Sequence, residues 1–300
     1  MSKPTQEPKP MAKFDPYQVI TDTLIASIEE GTPAWRCGWK KLGGALTRPV
    51  SGGSGNPYNG INVLLLWGSA QAQGFHSDTW HTYKGAKGKG GQVRKGEKGS
   101  RIIKWLFFPL KDTVTRQVKL DSNGEPMTFG KMRLYTVFNA CQIEWEEGSE
   151  YAPGPVPTVE DHDGHEAGDN YDEAKVIFDA WATEVEVRHG GDRAFYRPAA
   201  DHITGHSSRL NRKAKRKGSY KEAYAFEELI AELGAAFLCA DAGISQPEEP
   251  RADHASYLAS WLKVLKDDPK AIVKAASRAE KAAKLVLAKA AEAEQQMAAK

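Results

Sequence analysis

Cysteine is scarce in this chain and poorly placed for covalent or metal chemistry. Cys37, Cys141 and Cys239 are its only three, and no C-x-x-C pair occurs. That pattern excludes a disulfide framework and a zinc ribbon and fits reduced thiols in a cytoplasmic protein. Long apolar runs are missing as well. The best stretches, residues 61–67 and 102–110, fall short of the ~20 apolar residues that span a bilayer, so no membrane partner is expected. Residues 1–13 are polar and rich in Pro and Lys; without the apolar core of a signal peptide they are expected to form a disordered arm. Neither charge sign dominates, with 41 Lys and Arg against 39 Asp and Glu, so bulk charge points to no partner. Nucleotide-binding loops are absent: there is no G-x-x-x-x-G-K-[ST], and no G-x-G-x-x-G lies between a strand and a helix. Paired catalytic carboxylates and a Ser/His/Asp arrangement are also missing, which leaves a toxin or DNA-modifying enzyme without support.

What is present divides the chain in two. Asp15-Pro16 opens a first helix with Val19, Leu24 and Ile28 as its apolar face and Gly31 as its stop. A Gly/Pro/Trp-rich loop covers residues 32–58. Asn59 is expected to cap a second helix that Gly74 ends. Strands are expected over residues 101–108, 116–120 and 132–140, the last two joined as a hairpin through Asp121-Ser122-Asn123-Gly124. Residues 144–172 then contain no Lys or Arg but many Asp, Glu, Gly and Pro. This reads as an acidic linker, placed at 148–170, between a domain at 14–147 and a mainly helical one at 171–300. Helices are expected over 171–187, 220–240 and 254–265, a short strand over 194–197, and a last helix after Asp268-Pro269. The fold class is α+β, in two parts.

The chemistry concentrates in the first part. Lys84, Lys87, Lys89, Arg94, Lys95, Lys98, Arg101 and Lys104 face a single acid, Glu97, and glycines alternate with them. Such a segment lays cations and free backbone N–H groups along a phosphate chain. Trp35, Trp39, Tyr58, Trp67, Trp80, Tyr83 and Trp105 surround it in sequence. Rings that stack unpaired bases beside cations that neutralise phosphates are the chemistry of single-strand binding. The candidate contacts are Trp35, Tyr58, Asn59, Trp80, Tyr83, Lys84, Lys87, Arg94, Lys95 and Lys98. The plainer reading, a solvated Gly/Lys loop and core tryptophans, stands beside it.

Five blocks carry a family resemblance: Pro33-Ala34-Trp35; Asn56-Pro57-Tyr58-Asn59-Gly60-Ile61-Asn62; Trp80-His81-Thr82-Tyr83; residues 91–99, GQVRKGEKG; and Val137-Phe138-Asn139-Ala140-Cys141-Gln142. Their order over about residues 14–147 resembles the N-terminal domain of the ArdC family of antirestriction proteins. The resemblance implies single-stranded DNA binding and protection of the incoming DNA of a plasmid, phage or other mobile element from host restriction. A host restriction or defence protein is the other partner it implies, and the bacterial cytoplasm the location.

The second part resembles the zincin-like metallopeptidase domain that follows in the same family, through residues 194–198, 204–212, 224–234 and 257–262. The family's H-E-x-x-H, which puts two imidazoles one helical turn apart on zinc with a glutamate to activate water, is missing. His202 and His206 have the spacing, but Ile203 stands where the base belongs, and His162-Asp163-Gly164-His165-Glu166 has the wrong order. Glu227, Glu228 and Glu232 lie where the family's third ligand falls, and read here as an exposed acidic face or as partners of the basic run 209–217. A lost helix would also leave apolar surface on its neighbours uncovered. The expectation is therefore a single-stranded DNA-binding antirestriction protein without catalytic residues or cofactor. The alternative is an active zinc metallopeptidase, with ligands not apparent in the sequence, acting on a host protein.

Overall fold

The computed structural model of the chain describes residues 15–30, 35, 47–155, 204–205, 209–212, 220–243 and 254–298. The element order is α1 (Pro16–Glu29), β1 (Val50–Ser51), α2 (Ile61–Gln73), β2 (Thr79–His81), α3 (Tyr83–Lys87), β3 (Gly91–Val93), β4 (Ser100–Pro109), β5 (Thr128–Asn139), β6 (Ile143–Trp145), α4 (Tyr220–Asp241), α5 (His254–Asp267) and α6 (Ala271–Ala298). The expected helix at 171–187, the strand at 194–197, the stop at Gly31 and most of the acidic linker lie outside the described residues.

Asp15 caps α1, its Oδ1 accepting from the Tyr17 N–H at 2.9 Å, with Pro16 at the first helical position. Leu24 and Ile28 are buried as expected, together with Ile20 and Ile25, whereas Val19 is exposed; the i, i+4, i+8 spacing puts Ile20 rather than Val19 on that face. α2 starts on Gly60 at φ 57° without a side-chain cap and ends on Gly74 at φ 69°. Asn59 is therefore not the cap: its Nδ2 donates to the Pro57 carbonyl and its Oδ1 accepts from Lys284 Nζ at 2.9 Å. With few polar residues, α2 buries nearly all round. Leu64 and Trp67 face one core, and Leu66 and Ala70 another that contains Phe75, Trp80, Ile102 and Val137.

The main sheet runs β1-β2-β5-β4, parallel only at β1–β2, and β3 pairs with β6 in a separate ribbon. β4 and β5 pair directly over ten residues each, from Ser100↔Val137 to Pro109↔Thr128. The expected hairpin between 116–120 and 132–140 is thus replaced by a β4–β5 hairpin whose long loop holds residues 110–127. Within that loop only isolated bridges form, at Lys111↔Val118 and Leu120↔Pro126. Val118 and Leu120 stay exposed and Arg116 adopts φ 61°, so residues 116–120 have neither a buried face nor a continuous extended backbone. β4 is an edge strand, and Asn62 covers that edge. Its Nδ2 donates to the Ile103 carbonyl and its Oδ1 accepts from the Ile103 N–H, both at 2.8 Å, as a neighbouring strand would.

The largest core joins residues from both halves of the sequence. Ile20, Leu24, Trp35, Leu64 and Trp67 pack with Leu229, Leu233 and Phe237 of α4, Trp261 and Leu265 of α5, and the alanine face of α6. Trp35 meets Trp261 at 6.2 Å between ring centroids and Trp67 meets Phe237 at 6.0 Å. Ala275, Ala276, Ala279 and Ala283 on α6 are fully buried; small side chains at i, i+4, i+8 let α6 approach α4 closely. The buried faces of the described C-terminal helices are therefore covered by each other and by α1 and α2; residues 171–203, beside the missing segment in sequence, lie outside the described residues.

A charged network sits at the same junction. Arg48, nine per cent exposed, donates through Nε and Nη2 to both carboxylate oxygens of Asp241 and through Nη1 to Glu280 Oε2, each at 2.8 Å. Its guanidinium lies 4.7 Å from the Phe237 ring centroid. Glu280 Oε2 also accepts from the Gly60 N–H at 3.1 Å, and Lys284 Nζ lies 3.3 Å from Glu280 Oε1. Burial alone would push the Glu280 carboxyl up, but the hydrogen bond and charge of Arg48, with the Gly60 N–H and Lys284, hold it below the usual value.

Candidate nucleic-acid interface

The basic segment folds as a short helix, a two-stranded ribbon and a turn. Thr82 caps α3, its Oγ1 accepting from the Gly85 N–H at 3.0 Å, and Lys84 and Lys87 project from the last turn. Gly90 at φ 74° reverses the chain into β3, and Gly96 at φ 91° makes the turn after Arg94 and Lys95. Lys84, Lys87, Lys95 and Lys98 are exposed, and no ion pair engages them among the described residues. Arg94 is committed elsewhere: its guanidinium is 2.7 Å from Glu97 Oε1.

Gln142 fixes this turn. Its Nε2 donates to Glu97 Oε2 at 2.9 Å and to the Lys98 carbonyl at 3.1 Å, and its carbonyl accepts from the Arg94 N–H at 3.0 Å. The Gln142 hydrogen bond, with Arg94 behind it, outweighs burial and lowers the Glu97 carboxyl. Gln142 is itself held by a reciprocal cap with Asn139, which is fully buried and donates to the Ser77 carbonyl. The Val137–Gln142 block thus anchors the loop that displays the lysines.

Tyr83 is 48% exposed. Its ring meets Phe138 edge-on at 6.3 Å and its hydroxyl accepts from Gln92 Nε2 at 2.9 Å, which leaves a positioned ring open to solvent beside Lys84 and Lys87. Trp35 and Trp80 are each only 1% exposed. Trp35 packs on Trp261 and Trp80 on Phe75, so both are core residues and neither offers a face to a base. Tyr58 is half-buried against both cores, and burial raises its phenol. Asn59 is exposed but lies by α6, at Lys284. Tyr83, Lys84, Lys87, Arg94, Lys95 and Lys98 are thus exposed along one stretch from α3 to the turn before β4, tied by the Tyr83–Gln92 hydrogen bond, whereas Trp35, Tyr58 and Trp80 are buried or half-buried and Asn59 lies by α6.

Next to this surface His81 is buried at 1% exposure, with no hydrogen-bond partner for either ring nitrogen among the described residues. The ring stands edge-on to Trp145 at 5.0 Å and Tyr151 at 6.4 Å. Against its other side lies Gly52, where an added Cβ would meet the imidazole at 2.1 Å, so only glycine fits. Burial pushes the imidazole below its usual value, and the charge of Lys89 adds to that. The unfolded chain takes up this proton near pH ~6.5, the folded protein only at lower pH. Folding stability is therefore full above about pH 6.5 and falls as pH drops from there towards the folded value. Thermal melts of the parent and His81→Phe between about pH 7.5 and 5.5 should show a shallower pH dependence in the variant. An unchanged slope would assign the dependence to other groups.

The described part of the second half gathers no three His, Cys, Asp or Glu side chains that could hold a metal ion. His162, His165, His202 and His206 lie outside the described residues. Glu227 on α4 is already compensated by cations: Arg212 Nε, on a side chain only 5% exposed, is 3.3 Å from Oε2, and Arg278 Nη1 is 3.7 Å from Oε1. Arg212 also donates to the buried Thr204 hydroxyl at 2.6 Å. Two guanidinium groups supply the positive charge beside this carboxylate.

Residues 14–138 match the family model of the N-terminal domain of anti-restriction factor ArdC, and residues 200–278 match that of a zincin-like metallopeptidase. The uncharacterized protein y4eC of Sinorhizobium fredii (strain NBRC 101917 / NGR234) is 33% identical over 303 residues, covering 93% of this chain and 94% of that protein. Crystal structures of the ArdC protein from the R388 plasmid share the fold of this chain. The metal-free one is 37% identical with a TM-score of 0.70, and the Mn(II)-bound one is 35% identical with a TM-score of 0.66; each comparison covers 93% of this chain and 99% of that one. The chain belongs to the ArdC antirestriction family. DNA primase TraC of Escherichia coli is 34% identical over 308 residues, but the chain spans only 27% of that longer protein. The α+β class follows from the same comparisons: a mixed N-terminal region and a mainly helical C-terminal one. No helix among the described residues is long and apolar enough to cross a membrane.

Proposed function

We propose that this ArdC-family protein binds single-stranded DNA through the surface formed by α3, β3 and the turn into β4, and so shields the incoming DNA of a mobile element from restriction. The observation that carries the reading is the set of exposed lysines, Lys84, Lys87, Lys95 and Lys98, on the same short segment as the half-exposed ring of Tyr83. Lysines without acidic partners neutralise phosphates, and a ring held from behind by Phe138 and Gln92 stacks an unpaired base. Arg94 contributes less than the lysines, because contact with a phosphate competes with its ion pair to Glu97. The helical half supports this surface through the shared core. A guanidinium-paired Glu227 gives no support to a peptidase step, and the single-strand reading requires no metal. A labelled oligo(dT) of about 20 nucleotides, longer than one typical single-strand site, is expected to bind more tightly than a duplex of equal length, with or without chelator. Equal binding of the two would overturn the reading.

A further inference from the structure

β5 touches β2 only through Phe138 and Asn139, and Asn62 holds β4 only at Ile103. Beyond those points the β4–β5 hairpin runs out as a two-stranded ribbon. Every exposed Trp and Phe among the described residues lies on it: Trp105 at 43%, Phe107 at 69%, Phe108 at 37% and Phe129 at 49%. Natural proteins blunt such ribbons with polar residues, so a cluster of bare rings marks a contact surface.

The pairing register sorts the side chains. Cross-strand partners share a face. Lys104 stands opposite Arg133, Leu106 opposite Lys131, and Phe108 opposite Phe129. The last pair meets at 5.7 Å between centroids, tilted by 32°. On the other face Trp105 and Phe107 lie over Gly130, where an added Cβ would come within 3.2 Å of one ring and 3.3 Å of the other. Neither strand contains an acidic residue, and no ion pair engages Lys104, Lys131 or Arg133 among the described residues. Like charges directly opposite each other, as at Lys104 and Arg133, are destabilising in the free protein, and a bound anion relieves that repulsion. An apolar protein partner would account for the rings but not for the cations. The ribbon also continues from the surface described above: β4 begins two residues after Lys98, and Tyr83 rests on Phe138 of β5.

Resting on the single-strand reading, we infer that the outer half of this ribbon is a second DNA-contact surface, with Lys104, Lys131 and Arg133 on phosphates and Phe108 and Phe129 stacking bases. The single strand then runs from the α3 lysines out along the ribbon.

The test uses the full chain and labelled oligo(dT) of about 6 and about 20 nucleotides, below and above the length one surface is expected to hold. Phe108→Ala/Phe129→Ala should weaken binding of the longer strand about tenfold or more, with little change for the shorter one and an unchanged melting temperature. Phe108→Tyr/Phe129→Tyr, which keeps the rings, should restore it. Lys131→Ala/Arg133→Ala should lower the salt dependence for the longer strand only. If the parent binds the longer strand and these variants bind it equally well, the ribbon assignment is wrong and the first surface stands. If the parent binds neither strand, the single-strand reading itself has failed. If the alanine variants lose self-association of the chain but not DNA affinity, the ribbon is an interface between copies and the inference is overturned.

Discussion

Replacing Arg48 by alanine is expected to cost about 3–5 kcal/mol of folding stability, a large share of the ~5–15 kcal/mol available to a domain. Asp241 would lose its cation, and Glu280, buried between α6 and the Gly60 turn, would keep only the exposed Lys284 beside it. Taking one partner from a buried set costs far more than the net worth of the pair, because the remaining buried charge, here Glu280, stays desolvated. With Arg48 in place, the Glu280 carboxyl is held below its usual value, so its contribution is present above about pH 4.5 and lost as pH falls through the folded value. Urea denaturation of Arg48→Ala at neutral pH should show the midpoint moving sharply down, and removing all three charges together should recover part of the loss. A midpoint within experimental error of the parent would show that the network is not a structural clip between the halves.

The second large effect falls on DNA. Lys95→Ala/Lys98→Ala removes two exposed cations that no ion pair engages, from a turn fixed by Gln142, so the turn itself should persist. Each phosphate contact adds about 0.7 to the slope of log affinity against log salt for a single strand, so losing two lowers the slope by about 1.4. If parent and variant converge near 1 M salt, the variant binds about 25-fold more weakly near 0.1 M. A folded double variant with the parent's affinity and slope would move the site away from this turn.

The longer helices were legible in the sequence because their signals are local, whereas the five-residue α3 inside the Gly/Lys segment was not. Asp15-Pro16, Gly74 and Asp268-Pro269 sit at or beside helix ends, and the apolar spacing of α4 to α6 matches a helix buried on one face. β1, β2, β3 and β6 have two or three residues each, too few to show alternation. The Asp121–Gly124 turn is real, with Gly124 at φ 82° and the Asp121 carboxylate accepting from Asn123 and Glu125. It lies inside the loop rather than between strands, because what sets the hairpin is the β4–β5 register.

The candidate site was legible in part. The lysines could be read as exposed, since burying unpaired Lys is costly. Tryptophans carry no such directive: Trp35 and Trp80 read like Tyr83 in sequence and became core because α5 and the second core cover them. The ribbon escaped notice for the opposite reason. Residues 101–108 read as a strand, but its apolar run does not show which side chains stay outside, and Phe107 and Phe108 project into solvent. The absence of any Asp or Glu from both paired strands was the available clue. The structural roles of Asn62, Asn139 and Gln142 depend on partners distant in the chain, which no local pattern reveals.

The central claim is that the lysine surface beside Tyr83 takes unpaired DNA. The most direct measurement is a fluorescence-anisotropy titration of the whole chain with oligo(dT) and with a duplex of equal length, at several salt concentrations between about 50 and 200 mM. The predicted result is tighter binding of the single strand at every salt concentration, with log affinity falling linearly as log salt rises. Equal affinity for duplex and single strand at moderate salt, or affinity indifferent to salt, would contradict it.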